Sequence, residues 1–256
     1  MKLISLNVGL PKLVLNHGEP VSTGIYKHPV TNRIALRKLN LAGDHQADLS
    51  VHGGPEKAVY GYPSEHYEFW KHEFPDMDLP WGMFGENFTT EGFFENELDI
   101  GDKFKVGTAT VMVTQPRMPC YKLGIKFGRT DILRRFLQSG RTGFYFSVVD
   151  EGEVGVGDEL ELLEKNSQGV KISDITRLYV SAKHDVDTLS DELDPRRHLE
   201  SSSPKLAAEV LKVGGEPVPI AAVHLLDIAL RELKDKKPDL AWEQVIRVKE
   251  WIGKLS

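Results

Sequence analysis

Residues Gln115-Pro-Arg-Met-Pro-Cys-Tyr-Lys-Leu123 follow the alternating apolar run Lys103–Thr114 and contain Cys120, the only cysteine among 256 residues. Alternation of apolar and polar residues predicts a strand. Pro116 and Pro119 stiffen the backbone that follows, because the proline ring fixes φ. The thiol is therefore expected on a fixed turn after this strand.

Two basic residues flank this cysteine. Arg117 lies three positions before it and Lys122 two positions after it. Positive neighbours lower the pKa of a thiol and favour the thiolate, which is the form that attacks a substrate or binds a metal. The segment therefore predicts a reactive or metal-binding cysteine. The alternative is a buried cysteine that acts only as a small apolar side chain, as most cysteines outside disulfides do.

Short β-branched or alternating runs, separated by Gly and Pro, fill the chain up to about residue 168. They are Lys2–Val8, Arg33–Leu39, Lys103–Thr114, Gly143–Val149 and Asp158–Leu163. Many short strands with turn residues between them are typical of a β-barrel. Two short helices are also predicted, one over Ser64–Glu73 with Ser64 as its N-cap and one over Asp131–Gln138.

The pattern becomes helical after Gly169. Apolar residues at a spacing of 3.6 predict four helices, over Ser173–Ala182, Leu206–Val213, Ile220–Leu233 and Leu240–Ile252. We therefore predict a mainly β domain over residues 1–168 and an α-helical extension over residues 169–256. The sequence leaves open whether these helices pack on the β domain or on a second copy in a homodimer.

Composition excludes several classes of protein. The chain is 40% hydrophobic and 27% charged and has no apolar run of 18 residues, which predicts a globular protein outside the membrane. A net charge of −6 argues against general nucleic-acid binding, which needs a basic surface. The single cysteine and the lack of a signal-peptide pattern indicate the reducing cytoplasm.

Four residues that can bind metals occur within nine positions, namely Asp44, His45, Asp48 and His52. Their spacing matches no standard metal site, so we do not predict that they bind a metal directly. His52 precedes Gly53-Gly54 and could face a pocket as a proton carrier, or hold a loop through backbone hydrogen bonds. Both interpretations remain open.

Other polar clusters are less specific. Asn87, in the polar turn Phe84–Gly92, suits either a turn or the edge of a ligand. Arg and Thr follow Gly in Gly128-Arg-Thr and again at Arg141, a combination found in phosphate sites but more often on exposed turns. No P-loop or dinucleotide-binding motif is present, so an ordinary nucleotide enzyme is not expected.

Taken in order, these motifs resemble the MOSC-domain family, which is the fold of the C-terminal part of molybdenum cofactor sulfurases, and especially its YiiM-type bacterial members. The matching residues are Thr23–Val30, Gly43-Asp44, Asp48, His52–Gly54, Ala58–Tyr60, Gly85–Asn87, Ile100–Asp102, Gln115–Cys120 and Gly140–Tyr145. The segment Asp174–Asp185 also resembles the start of that group's C-terminal three-helix extension. The resemblance thus implies a MOSC-type β-barrel with short helices, followed by a helical extension.

The resemblance further implies a molybdenum cofactor (molybdopterin) whose metal is bound by Cys120. The candidates for binding the pterin's phosphate and polar edges are Lys27, Ser64, Asn87, Arg117 and Arg141. His52, with Asp44 or Glu86, is the candidate for delivering protons beside the metal.

The activity that the family implies is the two-electron reduction of N-hydroxylated compounds, such as 6-hydroxylaminopurine, to amines. One cysteine cannot hold an iron–sulfur cluster and no flavin motif is visible, so a separate reductase is expected to supply electrons. One alternative is a non-catalytic carrier of the cofactor, or of sulfur on Cys120. Another is a metal-free hydrolase that uses Cys120 and His52, although no oxyanion hole or third residue is recognisable for it.

Overall fold

The computed structural model describes residues 1–47, 53–166, 170–182, 212–213 and 216–217. The chain divides into two compact units, Met1–Ile172 and Ser173–Ser256. The residues around the predicted boundary at 168 lie outside the described ones. No helix in the described part of the chain is long and apolar enough to cross a membrane.

Among its described residues, the first unit contains twelve strands and three short α-helices. The strands are β1 (Lys2–Val8), β2 (Lys12–Asn16), β3 (Glu19–Thr23), β4 (His28–Val30), β5 (Ile34–Leu36), β6 (Val59–Pro63), β7 (Phe88–Glu91), β8 (Lys103–Val106), β9 (Ala109–Pro116), β10 (Phe144–Asp150), β11 (Gly152–Val154) and β12 (Leu160–Glu164). The helices are α1 (His66–Glu73), α2 (Tyr121–Phe127) and α3 (Ile132–Gln138), and a 3-10 turn spans Pro55–Lys57. The mainly β class predicted for this unit is confirmed.

Eight strands form one mixed sheet in the order β12-β8-β9-β10-β6-β7-β1-β4. Only the β6–β7 pair of this sheet is parallel. The sheet curves until the start of β1 meets the start of β12. There the amide of Leu3 donates to the carbonyl of Asp158 at 2.9 Å, and the amide of Leu160 donates to the carbonyl of Met1 at 3.0 Å. These bonds close the sheet into a barrel, while β2–β3 and β5–β11 form separate pairs.

Alternate side chains of the strands point inward and fill the barrel, and a second hydrophobic core lies outside it. In β9 the side chains of Ala109, Val111 and Val113 are fully buried, while those between them are partly exposed. The outer core packs α1, α2 and α3 against β6. Its fully buried large side chains are Tyr62, Tyr67, Trp70, Phe84, Phe136 and Leu123. This outer core fixes α2, which begins directly after Cys120.

Several predicted elements differ from those observed. The run Lys103–Thr114 is a hairpin of β8 and β9, because Gly107 turns the chain with a φ of 58°. The predicted strand Arg33–Leu39 shortens to β5. Ser64 is not an N-cap, since α1 begins at His66 and the Ser64 hydroxyl donates to the carboxylate of Glu65 at 3.3 Å.

Helix α2 was not predicted, although its sequence carries two ordinary helix signals. Leu123 and Phe127 are spaced by four residues and are buried on one face. Gly128 ends the helix with a φ of 65°, a left-handed conformation that glycine adopts without strain. Pro116 and Pro119 predict a turn before Cys120. The structure has this turn, but the helix begins directly after it, at Tyr121.

Helix α4 (Ile172–Ala182) begins at the last residue of the first unit and spans the first predicted helix of the extension, Ser173–Ala182. Of the predicted helix Leu206–Val213, only Lys212 and Val213 are described. They form β13 (Lys212–Val213), which pairs with β14 (Glu216–Pro217), so the helical prediction is wrong for these two residues. Gly214-Gly215 lies between the two strands in the sequence and is a signal for a tight hairpin. The predicted helices Ile220–Leu233 and Leu240–Ile252 lie outside the described residues.

The packing of α2 can be tested with two leucines of very different exposure. Leu123→Ala removes a side chain that is 0% exposed, and we expect it to lower the free energy of unfolding by about 2–5 kcal/mol. Leu13 in β2 is 74% exposed, so Leu13→Ala should change the same quantity by less than about 0.5 kcal/mol. Urea unfolding measures both. Equal effects would contradict the packing of α2 described above.

Candidate functional site

A cleft opens where the chain leaves β9 and enters α2. Its described walls come from the loop after β3, the segment Asp44–Ala47, the end of the 3-10 turn, and the residues that surround Cys120. Gly85 forms part of one wall with a φ of 83°, and a Cβ there would come within 2.8 Å of Ile25. Only glycine fits at this position, so the wall depends on it.

Cys120 is half-buried and lines the cleft. It occupies the N-cap position of α2 with extended backbone angles, and its carbonyl accepts a hydrogen bond from the amide of Leu123 at 2.9 Å. Because Leu123 is held in the outer core, the position of the thiol is fixed by packing. The expectation that this cysteine sits on a rigid turn at the end of a strand agrees with this geometry.

Arg117 is buried and also lines the cleft. Its Nη1 donates to the carbonyl of Phe84, and its guanidinium lies 4.7 Å from the centre of the Tyr60 ring. Its amide donates to the carbonyl of Gly143 at 3.3 Å. The first two contacts orient the guanidinium and the third fixes its backbone, so the cation is positioned for a charge-assisted hydrogen bond to an anion.

A buried network joins Lys27, Asp44 and Asn87 along another wall. One carboxylate oxygen of Asp44 accepts from Lys27 Nζ and from the amide of Gly9 at 2.9 Å. The other oxygen accepts from Asn87 Nδ2 at 3.0 Å. Asn87 Oδ1 in turn accepts from the amide of Tyr60 at 3.1 Å. Both oxygens of Asp44 thus accept hydrogen bonds from the protein, and the carboxylate joins Lys27, Gly9 and Asn87.

Positive charge dominates the described walls of the cleft. The basic side chains are Lys27, Lys57, Arg117 and Lys122, against the single carboxylate of Asp44. Burial lowers the pKa of Lys27, although the neighbouring Asp44 opposes the shift. A cavity with this excess of cations favours a ligand that carries negative charge.

Glu86 lies beneath the cleft wall and does not line it. Its carboxylate is fully buried and accepts hydrogen bonds from the hydroxyl of Tyr67, the amides of Gly82 and Phe84, and the hydroxyl of Thr89. Burial raises the pKa of Glu86, while Tyr67 and Lys126 oppose that shift. The carboxylate fixes the turn that carries the Phe84 carbonyl, and so it supports Arg117 indirectly.

Lys126 lies behind the same turn. Its ammonium donates to the carbonyls of Ile25, at 2.9 Å, and Gly82. Burial lowers the pKa of Lys126 to about 7, although Glu86 opposes the shift. A lysine that changes charge near neutral pH therefore connects the two walls.

The structure brings five of the nine predicted site residues to one cleft, namely Lys27, Asp44, Asn87, Arg117 and Cys120. Glu86 is buried beside it. Ser64 follows β6 and its amide bonds to the carbonyl of Thr90, while Arg141 lies over the ring of Phe69 at 4.0 Å, so neither lines the cleft. His52 and Asp48 lie outside the described residues. The roles assigned to these residues stay predictions.

Sequence reasoning missed two aromatic residues of the site, Tyr60 and Tyr145. They are directly paired across β6 and β10, and their ring centres are 5.2 Å apart. Both occur in motifs that carried the family resemblance, but the pairing joins positions 85 residues apart. The motifs therefore contained each tyrosine, but nothing in the sequence indicated that the two side chains are in contact.

The buried ion pair can be tested by neutralising one partner. Asp44→Asn leaves the Lys27 ammonium buried without its counter-ion, and we expect a loss of about 3 kcal/mol in the free energy of unfolding. Glu164→Gln, in the exposed Lys103–Glu164 pair, should cost less than about 1 kcal/mol. Denaturant unfolding at one pH measures both variants. An equal loss in the two would show that burial of the first pair is unimportant.

The pKa of Lys126 predicts a pH dependence of stability. Because this pKa falls from 10.5 to about 7 on folding, the unfolded chain binds more protons between these values, and stability rises with pH. In Lys126→Met the rise in unfolding free energy from pH 7 to pH 9 should be smaller than in the wild type. Lys105→Met, on an exposed position of β8, should keep the wild-type rise. An unchanged rise in Lys126→Met would contradict the assignment.

Comparison with known proteins places this geometry in a family. A family model for the MOSC domain matches residues 48–161. The chain is 44% identical over 183 residues to Uncharacterized protein YflK of Bacillus subtilis, covering 71% of this chain and 82% of that protein. It is 39% identical over 161 residues to Protein YiiM of Escherichia coli, covering 62% and 68%. A protein named reductase from Gibberella moniliformis is 34% identical over 151 residues, which span 58% of this chain and 27% of that longer protein.

Solved structures give the same result. YiiM from Geobacillus stearothermophilus superimposes with a TM-score of 0.58 at 31% identity, covering 79% of this chain and 90% of that one. YiiM from Escherichia coli has a TM-score of 0.56 at 28% identity, covering 82% and 90%. The extent of these matches, together with the barrel and the cysteine cleft, shows that the chain belongs to the MOSC-domain family and is a YiiM-type member of it.

Proposed function

We propose that this chain is a molybdenum cofactor-dependent reductase that converts N-hydroxylated compounds, such as 6-hydroxylaminopurine, to the corresponding amines. The observation that carries the proposal is the half-buried Cys120 in a cleft whose other charged groups are mainly cations. Membership of the MOSC-domain family supports it, as does the name reductase of the fungal relative.

The donor set of the cleft fits the cofactor chemically. Molybdopterin carries a phosphate and holds its metal through dithiolene sulfurs, so it brings negative charge together with a metal that accepts soft ligands. Cys120 offers a soft thiolate for that metal. Arg117, already oriented by Phe84 and Tyr60, and the lysines Lys57 and Lys122 offer charge-assisted hydrogen bonds to anionic groups. Ser64 and Arg141 lie away from this set and are not needed for it.

The overall reaction breaks the N–O bond, consumes two electrons and two protons, and releases the amine and water. When bound, molybdenum would supply the electrons and accept the oxygen by cycling between the +4 and +6 states. Cys120 would hold the metal at the cleft wall. Asp44 keeps Lys27 in place, and Glu86 keeps the turn beneath Arg117 in place, so both act by positioning. His52 stays the predicted proton carrier.

The source of the electrons completes the proposal. We place the reductase in the cytoplasm, where a separate electron-donating protein reduces it between turnovers. The lone cysteine suits this location because a reducing compartment keeps its thiol available. The substrate is a small N-hydroxylated molecule, with no nucleic acid or membrane as partner.

The test measures molybdenum and pterin per chain in a host that makes the cofactor, followed by amine release from 6-hydroxylaminopurine with a chemical reductant. We expect close to one molybdenum per wild-type chain together with turnover. Cys120→Ser should lose turnover by a factor of about 100 or more, since it removes the thiolate that binds the metal. Lys122→Met should weaken cofactor retention, whereas Lys105→Met, away from the cleft, should match the wild type.

The other outcomes separate the competing functions. Molybdenum and pterin bound in wild type without turnover, under a reductant that reduces the metal, would make the chain a cofactor carrier. Wild type without either component would overturn both the reductase and the carrier. Full turnover in Cys120→Ser would show that the thiol is not the metal ligand.

A further inference from the structure

We propose that the hydroxyl of Tyr145 recognises the N–O oxygen of the substrate by donating a hydrogen bond to it. The inference rests on the proposed function and names the residue that distinguishes an N-hydroxylated compound from its amine. Tyr145 lies in β10 and lines the same cleft as Cys120 and Arg117.

The hydrogen bonds of the neighbouring tyrosines single out this hydroxyl. The hydroxyl of Tyr60 donates to the carbonyl of Thr142 at 2.8 Å, that of Tyr62 donates to the carbonyl of Arg141 at 3.1 Å, and that of Tyr67 donates to Glu86. These three phenols are occupied by the protein itself. Among the described residues, the side chain of Tyr145 makes no such bond, although its ring packs against Tyr60.

An unpartnered hydroxyl in a half-buried position is costly unless water or a ligand satisfies it. Since Tyr145 lines the cleft, its hydroxyl can be satisfied from that side. The group also stays protonated at neutral pH. The ordinary pKa of a tyrosine phenol is about 10, well above neutral pH. The phenol is therefore a lasting hydrogen-bond donor close to the proposed metal ligand.

The other described donors of the cleft suit different groups. Lys27 is paired with Asp44, and Arg117 donates to the Phe84 carbonyl beneath the Tyr60 ring. Lys57 and Lys122 are cations and match the negative groups of the cofactor. The oxygen of an N-hydroxyl group is neutral and matches a neutral donor such as the Tyr145 hydroxyl. When the amine is bound instead, this hydroxyl has no partner, so the site binds the N-hydroxylated compound in preference to the amine.

The experiment uses oxidised, molybdenum-loaded protein without reductant, so that ligands bind but do not react. Calorimetry gives dissociation constants for 6-hydroxylaminopurine and for adenine, which lacks only the oxygen. Wild type should bind the hydroxylamino compound about 3- to 10-fold more tightly, which corresponds to one neutral hydrogen bond. In Tyr145→Phe this preference should disappear while adenine affinity and molybdenum content stay unchanged.

Tyr121→Phe is the matched control. It makes the same chemical change next to Cys120, on a side chain that lines a separate depression between β2 and α2, and it should keep the preference. A preference that survives in Tyr145→Phe would overturn the assignment, as would an equal loss of affinity for both ligands. If wild type turns over the substrate yet shows no preference, the assignment fails and the reductase stands. If wild type neither binds nor reduces the substrate, the proposed function fails with it.

Discussion

The buried ion pair between Lys27 and Asp44 joins parts of the chain that nothing in the local sequence would hold together. Through Asp44 it reaches the amide of Gly9 after β1, and through Asn87 it reaches β6 and β7. A buried pair of this kind is strongly destabilising when one partner is removed, because the remaining charge cannot return to water. The described walls of the cleft are therefore coupled through one buried network of hydrogen bonds.

Around that pair, the cleft is stabilised in layers. The innermost layer presents Arg117 and Cys120, whose orientations are set by a backbone carbonyl and by a helix start. Behind it, Glu86 and Lys126 hold the turn from which that carbonyl projects. The aromatic outer core lies behind both and excludes water from them. Buried polar groups that are hydrogen-bonded in this way make the described part of the cleft rigid.

Much of this architecture could be predicted from sequence, and the failures have physical causes. Alternation located most of the barrel strands, but it could not show that Gly107 divides one run into a hairpin, because glycine also occurs within strands. The motif order brought Lys27, Asp44, Asn87 and Arg117 to attention together with Cys120. It did not show that Glu86 does not line the cleft, because a sequence motif does not specify the orientation of its side chains. The Tyr60–Tyr145 contact arises from strand pairing over a long separation, which no local pattern encodes.

The seam that closes the barrel has a consequence for folding. The backbone bonds between residues 1–3 and 157–160 join the first strand to one of the last, so these contacts have nearly the greatest sequence separation that the first unit allows. Contacts of this kind slow folding, since the chain must lose the entropy of a long loop before the contacts form. During synthesis the start of β1 cannot form its hydrogen bonds with residues 157–160 until about 160 residues have left the ribosome. The last step in closing the barrel is therefore the one that chaperone binding or aggregation would interrupt first.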